Sequence, residues 1–279
     1  MDPGYAARAA PPGSVAWLQL LFTPAAQRPV LQALFALRAE IRQAVRPLLE
    51  PAVARMRLGW WQEELVRLMR GQARHPVTQA LARAGPGLAD EFFCLNGLLD
   101  AAAQELGRTA FADLDALGAY ARASTSPVYR LAALAARLPA RDPAALAAAD
   151  VLGGGVRLAE IVNDVQGDAL DERLFLPLSA LEHDEACALV DGHAAPRIER
   201  ALRDTHALAY SWLADARHLY QAVPPDPASA VALEWHSAAL EALARRGFSR
   251  VAGDAGPGPL RGLWIAWRAA RRAARSARR

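Results

Sequence analysis

The chain has 279 residues, 53% of them hydrophobic and 22% charged, with a formal charge of +3. That balance excludes a disordered polymer and allows one large domain or two small ones. Alanine is the commonest residue while valine, isoleucine and threonine are sparse, so composition points to an all-α protein. In chain order, residues 1–15 read as a flexible arm. Asp2, Pro11 and Pro12 do not fit a signal peptide, and Pro24 with the earlier prolines spoils residues 9–27 as a membrane span. Thr23 and Pro24 read as an N-cap and first helical residue, opening a helix to about Arg46, where Pro47 stops it. A second helix is predicted from Ala52 to Arg70, closed by Gly71. Further helices are predicted near 76–84, 87–106, 110–138, 143–168, 179–190, 194–222 and 227–247. Proline and glycine punctuate most junctions, as at Gly85-Pro86-Gly87, Pro139 and Pro224-Pro225. Residues 16–250 therefore form one helical domain, with residues 251–279 as a linker and a basic C-terminal helix.

That last segment differs in character. From Pro259 to the end it carries seven arginines and no acid, which leaves the rest of the chain net acidic. Leu260, Leu263, Trp264 and Trp267 cluster on one side of the predicted helix. Such a helix can lie on an anionic membrane surface, bind nucleic acid, or pack its tryptophans and leave its arginines in water. The membrane surface is preferred over nucleic acid, and the protein is expected to be cytoplasmic, peripheral on the inner face of a membrane. Cys94 and Cys187 are too few and too distant for a disulfide framework or zinc site. All 32 basic residues are arginine, a bias that fits a GC-rich bacterial genome.

The window LAEIVNDVQGDALDERLFLPL, residues 158–178, is the most informative. Glu160, Asp164 and Asp168 fall at i, i+4 and i+8, so one continuous helix would stack three carboxylates on one face. Like charges at that spacing repel. Hard oxygen ligands converging on one face suit Mg²⁺, whereas a solvated acidic stripe gives the same pattern. Arg38, Arg42 and Arg46 form a second ladder at the same spacing.

Asp164, Asp168, Arg173, Phe175, Leu176 and Pro177 resemble the second aspartate-rich motif of the squalene/phytoene synthase family, approximately Q-L-x-N-I-x-R-D-x-x-x-D followed by R-[IV]-Y-[LF]-P. Residues 57–65, RLGWWQEEL, with Gly71 and His75-Pro76-Val77, are similar to that family's R-L-x-W-W-x-E-E-L … G … H-P-V stretch. Ala33-Leu34-Phe35-Ala36-Leu37 resembles the run opening its first motif helix. The resemblance spans roughly residues 17–250 and implies a helical bundle of the isoprenoid synthase type. It further implies condensation of two prenyl diphosphates, held through Mg²⁺ by two facing aspartate motifs. Here the first motif is degenerate. Laid on residues 39–46, it places Arg42 and Arg46 where the outer aspartates belong and Gln43 on the middle one. The second motif also departs, with Arg157, Glu160 and Asn163 at polar positions before Asp164, and the usual A-G pair of another helix becomes Thr125-Ser126 before Pro127, where a kink is expected.

Two readings follow. In one, the arginines pair with the carboxylates in place of metal, catalysis is lost, and the protein binds an isoprenoid or other lipid or acts as an assembly factor with a protein partner. That branch resembles the complex I assembly-factor homologues. In the other, Glu160, Asp164 and Asp168 hold Mg²⁺ and Arg38, Arg42, Arg46 or Arg173 grips the diphosphate of a working prenyl transferase. Tyr120 and Phe35 are candidates to line the cavity.

Overall fold

The computed structural model describes residues 3–46, 50–106, 111–137, 141–178, 182–251, 253 and 256–276. Among these residues there is no strand, and the regular elements are helices joined by turns and loops. The helices are α1 (Pro3–Ala9), α2 (Val15–Phe22), α3 (Arg28–Gln43), α4 (Pro51–Met69) and α5 (Pro76–Ala84). After a 3₁₀ segment (Pro86–Leu95) come α6 (Asn96–Glu105), α7 (Leu114–Arg137), α8 (Pro143–Asn163), α9 (Val165–Leu170) and α10 (His183–Val190). α11 (Pro196–Ala222), α12 (Pro227–Arg246) and α13 (Pro259–Ser276) complete the order. Proline opens α4, α5, α8, α11, α12 and α13, where its missing N–H forfeits no hydrogen bond. Caps precede several of them: Asp142 accepts from the Ala144 amide and Asp226 from that of Ser229.

Two large apolar clusters meet through α7. One gathers α7, α8, α11 and α12 around Leu117, Leu152, Leu158, Leu213 and Leu240. The other gathers α3, α4, α5 and α6 around Leu34, Leu37, Leu65, Leu81 and Leu131 of α7. A small third cluster joins Leu18 of α2, Ala230 and Val231 of α12, and four alanines of α13.

α8 is the central helix and packs closely on both α7 and α11. The triplet Gly153-Gly154-Gly155 makes this possible. A Cβ on Gly153 would lie 2.4 Å from the Cα of Ser126, and one on Gly154 would lie 2.4 Å from the Trp212 ring. Pro127 sits inside α7, which is continuous from Leu114 to Arg137.

Several boundaries correct the sequence reading. Thr23 is the C-cap of α2, an additional helix, rather than the N-cap of α3; its amide donates to Gln19 O and Leu20 O. The segment expected as a loose arm contains α1, which packs on α3; its Arg8 pairs with Glu40 at 2.8 Å. The helix predicted over 143–168 breaks at Asp164, whose φ of −119° and ψ of 27° leave the helical region and separate α8 from α9. The expected stops at Pro47 and Pro139 and the starts at Ala110 and Ser179 lie outside the described residues.

Candidate functional site

The break at Asp164 means that Glu160, Asp164 and Asp168 are not carried by one continuous helix. Glu160 lies on the last turn of α8 and points inward, Asp164 is exposed at the junction, and Asp168 is part-buried on α9. The three acids come from α8, the junction and α9, and all three border one cavity. Gly167 accommodates the turn: a Cβ there would stand 2.3 Å from Asp164 Oδ1.

The Glu160 carboxylate is engaged by arginine. Arg38 of α3 donates through Nη1 to Oε1 at 3.1 Å and through Nη2 to Oε2 at 2.6 Å, and through Nε to the Ser124 carbonyl at 3.1 Å. Arg157, one turn back on α8, donates to Glu160 Oε2 at 3.2 Å and to the Tyr120 hydroxyl at 2.9 Å. Tyr120 donates in turn to Glu105 Oε1 at 2.7 Å. Arg173 reaches Glu105 Oε2 at 2.8 Å and also donates to the Val45 carbonyl. A continuous polar chain thus runs from α7 through α3, α8 and α6 to the segment after α9, across the seam between the two large clusters.

Charge and burial set the protonation states. Burial alone would raise the Glu160 carboxyl; the charge and hydrogen bonds of Arg38, then the charges of Arg157 and Arg42, hold it far below the usual carboxylate range. Burial likewise opposes charge on Arg157, and Tyr120, Glu160, Asp168 and Glu105 outweigh it. The Arg157 guanidinium is 3% exposed and lies 4.9 Å from the Phe175 ring centre. Arg42 is shifted down, first by its neighbour Arg157, then by burial and by Arg38, and its Nε is buried with no hydrogen-bond partner. Asp168 is pushed up to about 6 by burial, with Arg157 and Arg42 opposing.

Beside this network lies a cavity of about 520 Å³ whose walls include Arg42, Arg157, Glu160, Asp164, Asp168 and His236. A second cavity of about 210 Å³ is lined by Phe35, Arg38, Tyr129 and Thr125, and shares Val15, Arg42, Glu160 and His236 with the first. Of the two residues expected to line a cavity, Phe35 borders the smaller one. Tyr120 does not: it is fully buried, stacked on Phe175 at 5.5 Å, and lines neither cavity. Arg46 is exposed beyond the end of α3, so the arginine ladder has two members rather than three. Arg173 is tied to Glu105 and borders a different cavity, with His183 and Cys187.

A Mg²⁺ cage of the kind the resemblance implies needs acids on both facing helices. Here α3 presents Arg38 and Arg42 where the first acidic motif would stand, and Glu160, which borders the cavity of about 520 Å³ with Asp164 and Asp168, is bound by two guanidinium groups. Among the described residues no group of three or more His, Cys, Asp or Glu is placed to hold a metal ion. The residues present do not fit the two-motif cage.

Arg157 is the residue that sequence reasoning passed over, noting it only as a departure at a polar position. Its signal was a lone cation inside the apolar run Val156 to Val162, three residues before Glu160. Trp235 and His236 gave no comparable signal, because only the packing of α12 beside α8 brings them to the cavity.

Known structures share this fold. The structure resembles that of squalene synthase HpnC from Alicyclobacillus acidocaldarius, at 22% identity and a TM-score of 0.66 over 84% of this chain and 89% of that one. It also resembles a dehydrosqualene synthase solved in complex with ligand, at 15% identity and a TM-score of 0.67 over 91% and 89% of the two chains. Curated proteins give no match. The model of the family described as squalene/phytoene synthase matches residues 15–271, nearly the whole bundle, and the chain belongs to that family.

Proposed function

We propose that this protein holds one anionic isoprenoid or lipid in the cavity beside α3 and α8, gripping its head group with guanidinium rather than metal, and does not condense two prenyl diphosphates. The observation that carries this reading is the bidentate Arg38–Glu160 pair, with the unpartnered Arg42 Nε beside it on the cavity wall. Arginine pairs in two-point fashion with carboxylates and phosphates and does not lose its charge at physiological pH. A cavity of about 520 Å³ is of the size that takes a single small ligand. The dehydrosqualene synthase neighbour was solved with a ligand, which supports a ligand-binding role for this fold.

A second reading, a Mg²⁺-dependent head-to-head prenyl transferase, is favoured by one observation: Asp164 and Asp168 both line the larger cavity.

Calorimetry with C15 and C20 prenyl diphosphates, in EDTA and in Mg²⁺, separates the two. The proposal expects binding near one equivalent that persists in EDTA and weakens roughly 10- to 100-fold in Arg42→Ala, the loss of one charge-assisted contact. Metal-dependent diphosphate release, abolished by Asp164→Asn/Asp168→Asn, would overturn it in favour of the transferase.

A further inference from the structure

α13 is amphipathic in an inverted sense. The residues it buries against α2 and α12 are small: Gly262, Ala266, Ala269, Ala270 and Ala273. Its large apolar side chains point outward, with Leu260 85%, Leu263 41%, Trp264 52% and Trp267 43% exposed. Positions 260, 263, 264 and 267 follow the i, i+3, i+4, i+7 spacing of a continuous stripe, roughly a third of a turn from the alanine seam. Arg261, Arg268, Arg271, Arg272 and Arg275 occupy the remaining sector, all exposed. At the border, Arg268 lies 5.0 Å from the Trp264 ring centre and Arg271 4.8 Å from that of Trp267. The helix therefore has three faces: one packed, one apolar and open, and one cationic.

We infer that the outer face of α13 docks on an anionic lipid bilayer, the Leu/Trp stripe entering the interface and the arginines meeting the head groups. This goes beyond the ligand reading and rests on different residues. A helix kept only for packing would bury its tryptophans and expose its alanines, the opposite of what is seen. Two copies of this chain meeting stripe to stripe would bring two arginine rows together without an acid on either helix. Nucleic acid would satisfy the arginines but leave Leu260 and Trp264 in water. An anionic bilayer satisfies both sectors at once: tryptophan favours the boundary between acyl chains and head groups, and each arginine gains from the negative surface potential. The location agrees, since α13 rests on α2 and α12, the helices that give Val15, Trp235 and His236 to the cavity wall.

The test is co-sedimentation of the full chain with vesicles of phosphatidylcholine alone and of phosphatidylcholine mixed with phosphatidylglycerol. Binding is expected to the mixed vesicles only. Trp264→Ala/Trp267→Ala should weaken it at least about tenfold through lost apolar burial. Arg268→Gln/Arg271→Gln/Arg272→Gln should lower it by roughly fivefold per arginine, and added salt should act in the same direction. All five side chains are exposed, so circular dichroism should show unchanged helix content. Quenching of wild-type tryptophan fluorescence by brominated lipid gives the same readout should a variant misfold. No binding to either vesicle, binding that ignores both tryptophans, or a dimer broken by Trp264→Ala/Trp267→Ala without vesicle binding would each overturn the inference.

Discussion

Glu64 shows how one buried acid can be settled by its neighbours. Its side chain has no solvent exposure and accepts from the Arg74 amide at 2.7 Å, the His75 amide at 2.8 Å and the Thr78 hydroxyl at 2.5 Å. Burial would raise its pKa, but hydrogen bonds from Thr78, His75, Arg74 and Arg67 outweigh it and lower the value. It thus ties α4 to the turn that starts α5, joining two pieces of sequence that were read only as a family-like pattern. Glu64→Gln should cost about 2–4 kcal/mol at neutral pH, because it weakens several buried hydrogen bonds to a charged acceptor. Since the folded pKa lies below the unfolded one, this stability is fully present above about pH 4.3 and is lost as pH falls through the folded value. Urea titrations of both proteins should show the difference shrinking in acid; a constant difference would mean Glu64 is not ionised in the native state. The contrast with Arg42 is instructive. Sequence alignment could place an arginine where an aspartate belongs, but only the reach of Arg38 from α3 to Glu160 on α8 shows that Arg38, not Arg42, receives the carboxylate.

At the scale of elements, sequence carried far where local chemistry decides and failed where tertiary geometry does. Proline at the first helical position located the starts of α5, α8 and α12. Thr23-Pro24 carried the same signal and misled, because Thr23 closes α2 and α3 starts four residues after Pro24. The α8–α9 break is marked by no proline. The local signals were Asn163 and Asp164, weak helix formers, and Gly167, whose missing Cβ leaves room for the Asp164 carboxylate. The glycine triplet in α8 is the complementary case: unfavourable for a helix in isolation, necessary for its crossing with α7. Gly153→Ala would place a methyl 2.4 Å from the Ser126 backbone, where no flexible side chain can yield. We expect a loss of about 1–3 kcal/mol despite the better helix propensity of alanine, read as a lower midpoint in thermal denaturation. A midpoint equal to or above wild type would show that the helices are not held at this distance.

For the whole molecule, composition and periodicity sufficed to establish an all-α bundle, and quoted motifs sufficed to suggest its family. The chemistry was less legible, because it depends on which charges converge from distant segments. Glu105, Tyr120 and Arg173 belong to three elements, and nothing in their spacing connects them. Their network crosses the seam between the two large apolar clusters, so the halves of the bundle meet through directional bonds as well as packing.

The alanine seam of α13 bears on how firmly that helix is held. Methyl groups bury little area, so α13 clings to α12 far less tightly than a leucine-faced helix of equal length would. Its backbone amides should therefore exchange with deuterium faster than those of α12, through a partial opening that leaves the rest of the bundle protected. Equal protection in both helices would mean that they open as one unit. Such an opening would lift Gly262 away from Trp235, and with it one support of the cavity wall, so that anything loosening α13 from outside would be felt at the cavity.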